Sequence, residues 1–200
     1  MDTEQAGADA GRLDLVGDCG NCFGLCCVAL PFAASADFAI TKPASVPCPN
    51  LRTDFRCGIH RTLTQQGFRG CAAYDCFGAG QQVSQVTFSG HDWRTDPGTA
   101  QRMYDAFATM RLLHELLWYL TEALALDAAR ALHEEIAAAL AATRRLTAQP
   151  ADVLSHLDVE AHRAGIATVL RRVSEIVRAD APAAGIDYRG ADLGGARLAR

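Results

Sequence analysis

Eight cysteines stand between positions 19 and 76, and residues 77–200 hold none. The first cluster, Cys19-Gly-Asn-Cys22-Phe-Gly-Leu-Cys26-Cys27, opens with a CxxC step. That step lets a tight, glycine-relaxed turn direct two thiolates at one ion, the knuckle geometry of zinc ribbons and many iron–sulfur loops. Cys26 and Cys27 are adjacent, so their side chains diverge: one ligates the same centre, the other points to a second centre or into packing. The second cluster is Cys48-Pro49-Asn50-Leu51 running to Cys57-Gly58-Ile59-His60, and the third is Gly70-Cys71-Ala-Ala-Tyr74-Asp75-Cys76.

Thiolates are soft ligands. Zinc takes four at a tetrahedral site, a [2Fe–2S] or [4Fe–4S] cluster also takes four, and eight can fill two such sites or one with spares. Cys19, Cys22, Cys57, Cys71 and Cys76 are the first choices as ligands; Cys26, Cys27 and Cys48 follow, because adjacency and spacing leave their assignment open. A disulfide framework and a set of inert buried thiols are the rival readings. The stretch MDTEQAGADAGRLDLVGD is acidic and polar with no apolar core, so the expectation is a cytoplasmic protein without a secretory leader. In a reducing compartment clustered cysteines point to metal or redox chemistry.

Taken together the three clusters resemble the CxxCxxxCC family, described as zinc- or iron-chelating domains. The matching residues are Cys19, Cys22, Cys26 and Cys27; Cys48, Pro49, Leu51, Cys57 and Ile59; then Cys71, Tyr74 and Cys76. The resemblance covers about a third of the chain. It implies a zinc or iron–sulfur cofactor held by these cysteines, and some proteins with the arrangement look like flagellin lysine methylases. Two departures stand out: His60 replaces an aromatic residue, and Gln65-Gln66-Gly67-Phe68-Arg69-Gly70 replaces the Arg-Pro that precedes the third element.

Other candidates are weaker. His60 is a spare imidazole three residues after Cys57, and His91 with Asp92 reads as a turn beside the site. His114-Glu115 and His133-Glu134-Glu135 lack the HExxH or ExxH spacing of helical metal sites and read as solvated helix faces. Phe77-Gly78-Ala79-Gly80-Gln81-Gln82 lacks the spacing of a phosphate loop and reads as a turn. No serine elbow or paired-carboxylate motif is present, so the reading leans away from an enzyme.

The elements that must position these thiols divide into a mainly α chain: an irregular Cys-rich metal-binding domain over 13–95, after a flexible tail over 1–12, and an antiparallel helical bundle over 96–180. The first region is rich in Gly, Pro and Phe and has few periodic runs, so metal is expected to supply what its apolar core lacks. Asp96-Pro97-Gly98 marks the change. From Thr99 to Leu126 the residues Met103, Phe107, Met110, Leu113, Leu117 and Leu120 recur at helical steps. Leu132, Ile136 and Leu140 mark a second helix. Val153, Leu157, Ile166, Val169, Leu170, Val173 and Val177 mark a third, over Ala151–Arg178, after the break at Gln149-Pro150. The helices offer a scaffold or a homodimer surface.

In the tail over 181–200, Ala191-Asp192-Leu193 and Ala196-Arg197-Leu198 resemble two units of a pentapeptide repeat. Together with the Cys-rich head they resemble actinobacterial pentapeptide-repeat proteins and imply an adaptor role; two units are too few to bury a solenoid core. A formal charge of −4 gives no footprint for nucleic acid, and no apolar run is long enough to span a membrane.

Overall fold

The computed structural model describes residues 15–179. The tail over 1–12 and both pentapeptide-like units lie outside them. The described chain is mainly α-helical. It has no strand among these residues, only two isolated antiparallel bridges, Phe32–Lys42 and Leu51–Cys57.

Three short helices belong to the Cys-rich part: α1 (Leu25–Val28), α2 (Arg69–Ala73) and α3 (Ala79–Gln81), the last running on as a π-helical turn over Gln82–Thr87. Asp96 then caps a 3-10 turn, its carboxylate accepting from Gly98 N with Pro97 at the first helical position. The long helix α4 (Ala100–Leu124) follows. A 3-10 stretch over Asp127–Leu132 leads into α5 (His133–Thr147); α6 (Ala151–His156) and α7 (Val159–Val177) complete the described chain.

All six apolar residues read from the α4 sequence are buried. The expected third helix is two helices. Asp158 accepts from Ala161 N at 2.9 Å and starts α7 afresh, so the apolar register is reset between Leu157 and Val159. Val153 and Val177 fall off the buried face in consequence, at 43% and 46% exposure, while Ile166, Val169 and Val173 stay inside.

Two cores run along α4. One joins Met103, Phe107, Met110 and Leu113 to Leu154 of α6, and also to Leu25, Val28, Ala79, Val83 and Trp93 of the Cys-rich part. The other joins Leu116, Leu120 and Ala123 to Ile136 of α5 and to Ile166, Val169 and Val173 of α7. Leu146, at the far end of α5, packs on the first core, so α5 runs antiparallel to α4. The Cys-rich segments thus have an apolar support, and it is the N-terminal half of α4.

Candidate metal centre

All eight cysteines are free thiols; only Cys19 is classed as exposed. Two sets of hydrogen bonds hold the segments that carry them. The first docks the CxxC knuckle onto α3 and the π-turn. Gln81 receives Asp18 N at 3.0 Å and donates to Val16 O at 2.7 Å, Ser84 Oγ receives Phe23 N at 3.0 Å, and Gln85 donates to Asn21 O at 2.8 Å. Trp93 Nε1 closes the far side on Phe23 O at 2.9 Å. Each of these bonds goes to backbone between Val16 and Phe23.

Glycine makes this approach workable. A Cβ on Gly80 would lie 2.6 Å from Cys22 Sγ and 3.9 Å from Cys76 Sγ, and one on Gly17 would lie 3.3 Å from Cys76 Sγ. Gly24 has φ +67°, and a Cβ there would strike Leu51 and the carbonyl of Phe55.

The second set ties the loop after Cys27 back to Cys48. Cys48 N donates to Cys27 O at 2.9 Å, and the Phe32–Lys42 bridge closes the intervening loop. Lys42, the only lysine of the chain, is 2% exposed. Its ammonium donates to Val28 O, Pro43 O and Val46 O at 3.0, 2.9 and 2.9 Å, and sits 5.6 Å from the Phe32 ring centroid. No carboxylate among the described residues pairs with it; burial lowers its pKa, and Cys48, Cys27 and Cys26 act in the opposite direction. The Leu51–Cys57 bridge then places Cys57, and α2 brings in Cys71, with Gly70 N bonded to Asp37 O and the Phe38 ring lying where a Gly70 Cβ would go.

Burial pushes the Cys22 thiol up to about 12, with repulsion from Cys26 and Cys76 adding to it. Burial also raises Cys19, again with Cys26 and Cys76 adding. Cys71 rises to about 11 through burial and repulsion from Cys26, Cys48 and Cys57. Cys57 is raised chiefly by burial, and Cys26 chiefly by donating to Cys27, whose sulfur is 4.0 Å away. Thiols with pKa values raised in this way stay protonated unless a cation draws the protons off. As the side chains stand, no three His, Cys, Asp or Glu among the described residues meet at one ion-sized point.

Tyr74 lies among the same sulfurs. Burial, then repulsion from Cys26 and Cys76, hold its phenol protonated, and its hydroxyl is buried with no hydrogen-bond partner among the described residues. The Arg111 guanidinium stands 5.7 Å from its ring centroid.

Among curated proteins the chain is similar to one from Bacillus subtilis described as "Uncharacterized protein YybG", at 52% identity over 168 residues. The match covers 84% of this chain and 60% of that protein, so the chain spans only part of the relative's length. No family model matches, and no solved structure matches.

The remaining candidates separate cleanly. His60 is exposed and lines an open cavity of about 280 Å³ with Cys71 and Tyr74. His91 is exposed at a turn, bonded to Phe88 O. Asp92 caps that turn, accepting from Arg94 N and Thr95 N. His133 sits at the start of α5 against Leu126 O, and Glu135 pairs with Arg172 of α7 at 2.6 Å.

His114 departs from the expected solvated face. It is 5% exposed, and its Nδ1 lies 2.7 Å from Phe77 O, which fastens the Cys76 segment to α4. Phe77–Gln82 is more than a turn, since Ala79–Gln81 form α3 and Gln82 opens the π-helical turn. Lys42, Gln81, Ser84 and Gln85 had no motif to announce them. The one available signal was Lys42 being a solitary lysine among arginines.

Proposed function

We propose that this chain is a cytoplasmic metal-binding protein in which Cys19, Cys22, Cys26, Cys27, Cys48, Cys57, Cys71 and Cys76 hold zinc or iron–sulfur. The observation that carries the reading is that hydrogen bonds tie three distant Cys-bearing segments together, with the Cys26 and Cys27 sulfurs 4.0 Å apart and Cys22 and Cys76 both beside Gly80. The donor set fits by its chemistry. Soft thiolates select zinc and iron–sulfur centres, and buried thiols give up their protons on binding such a cation. Bound there, the metal supplies cross-linking of the segments or, as a cluster, one-electron chemistry. The chain's part is to orient the sulfurs, exclude water through Phe23, Phe55 and Trp93 packed over the knuckle, and buffer charge with Lys42.

Purification without oxygen, followed by metal analysis and a visible spectrum, tests this. Stoichiometric zinc in a colourless protein, or sulfide-bound iron with broad visible absorption, is expected. A folded protein with no bound metal under those conditions overturns the reading.

The open cavity beside Cys71, His60 and Tyr74 favours a second reading, an iron–sulfur-dependent enzyme related to flagellin lysine methylase-like proteins. Turnover that disappears with the cluster distinguishes it. A pentapeptide-repeat adaptor, with a homodimer through the helices, is the third; the greater length of the Bacillus relative leaves room for more repeats.

A further inference from the structure

We infer that Cys22 and Cys76 form a dithiol–disulfide couple, which a low-molecular-weight disulfide oxidises to a covalent cross-link between the CxxC knuckle and the segment that leads into α3. The placement of the two sulfurs carries this, independently of any metal.

Gly80 is where the two side chains converge. A Cβ there would lie 2.6 Å from Cys22 Sγ, 3.4 Å from Cys22 Cβ and 3.9 Å from Cys76 Sγ. Cys76 Sγ also lies 3.3 Å from where a Gly17 Cβ would stand. The Cys76 sulfur thus reaches the chain that enters the knuckle as well as the helix that follows it.

Hydrogen bonds hold the two segments together on both sides of the pair. Before Cys22, Asp18 N donates to Gln81 Oε1 at 3.0 Å and Gln81 Nε2 donates to Val16 O at 2.7 Å. After it, Phe23 N donates to Ser84 Oγ at 3.0 Å. On the Cys76 side, Ala79 N donates to Cys76 O at 2.9 Å, and His114 Nδ1 lies 2.7 Å from Phe77 O. Closing the bond is therefore an intramolecular step between segments that native contacts already align.

The vicinal pair is the poorer couple, although its sulfurs are only 4.0 Å apart. Cys26 and Cys27 lie in α1 and no cis peptide is present among the described residues. Neighbours across a trans peptide have Cα atoms about 3.8 Å apart, below the roughly 4.4–6.8 Å that disulfides span.

The chemistry is thiol–disulfide exchange. One protein thiolate attacks the reagent's S–S bond, forms a mixed disulfide and releases one small thiol. The second protein sulfur displaces the other small thiol. Two protein thiols are oxidised, one reagent disulfide is reduced, and the two protons leave on the released thiols. The bond closes a loop over residues 22–76 that carries Cys26, Cys27, Cys48, Cys57 and Cys71, and it withdraws two donors from any metal.

The test equilibrates the full chain, purified without oxygen, with reduced and oxidised glutathione, before and after treatment with a strong chelator. Remaining thiols are alkylated and the digest is read by mass spectrometry. A Cys22–Cys76 cross-link, lighter by two hydrogens and reversed by dithiothreitol, is expected as the first intramolecular bond. In Cys22→Ser, Cys76 should stop as a mixed disulfide with glutathione. A different first cross-link overturns the couple. So does glutathione on exposed Cys19 with Cys22 and Cys76 reduced at every ratio, with and without chelator. The wild-type map decides even where Cys22→Ser does not fold. Metal content of the reduced preparation separates the two readings: bound metal without the cross-link sinks the couple alone, and the cross-link in a folded chain that never held metal sinks metal binding alone.

Discussion

At the scale of single residues the most exacting position is Lys42. Its three carbonyl acceptors come from Val28, Pro43 and Val46, so one ammonium replaces the hydrogen bonding that a strand would give this loop. Lys42→Met keeps the stem and removes the donor. Orphaning buried acceptors costs about 1–3 kcal/mol each where water cannot reach them, so a loss of roughly 3 kcal/mol is expected in urea unfolding of the metal-loaded protein. Zinc affinity should fall about 10–100-fold, as when an outer partner of a metal ligand is removed. Lys42→Arg should not restore either, since a planar fork cannot aim at three converging carbonyls as a rotating ammonium does. Unchanged unfolding in Lys42→Met would mean that the loop is held by its bridge alone.

At the scale of elements, Gly80 and His162 give separable expectations. Gly80→Ala puts a methyl 2.6 Å from Cys22 Sγ, which must swing aside. The expected outcome is weaker metal binding with the helical far-UV spectrum retained, read by zinc titration beside circular dichroism. His162 of α7 lies 2.9 Å from Thr143 Oγ1 of α5, and that hydroxyl already donates to Ala139 O, so the ring donates from Nε2. Burial lowers the His162 pKa below the ordinary 6.5. A depressed folded value favours the neutral ring, so its contribution is present above about pH 6.5 and is lost as pH falls through the folded value. Thermal unfolding from pH 7.5 to 5 should show a decline that His162→Gln reduces; an identical decline in both proteins would place the effect elsewhere.

These elements also show what a sequence can carry. The α4 face was readable because six apolar residues repeat at helical steps over a single uninterrupted helix. The break between α6 and α7 had a local sign, Asp158 followed by Glu160 in the first turn, yet the apolar run across it looked continuous. The three cysteine clusters were plain from spacing. The contacts that hold them were not, because Gln81, Ser84 and Gln85 reach knuckle backbone more than sixty residues away, and His114 reaches Phe77 across 37. Partners that are backbone carbonyls or amides leave no trace in residue type.

For the whole molecule the two cores along α4 determine how metal and stability are linked. Leu25, Val28, Ala79, Val83 and Trp93 cover the N-terminal half of α4, whereas Leu116, Leu120 and Ala123 are covered only by helical segments. On the proposed metal-binding reading, metal that cross-links the Cys-rich segments would hold that cover in place, so its binding free energy would become stability of the first core and reach the second only through α4 itself. Chelation should therefore loosen the chain unevenly. Hydrogen exchange on the protein before and after stripping with a strong chelator should show faster exchange over residues 19–93 and over Met103–Leu113. Protection should be largely kept over Leu116–Ala123, α5 and α7. Phe107→Ala, which empties a fully buried site in the shared core at a cost of about 3–5 kcal/mol, should reproduce the same unevenness with metal bound. Uniform loss along the chain would mean one cooperative unit, and loss confined to residues 19–76 would mean that α4 stands without its cover.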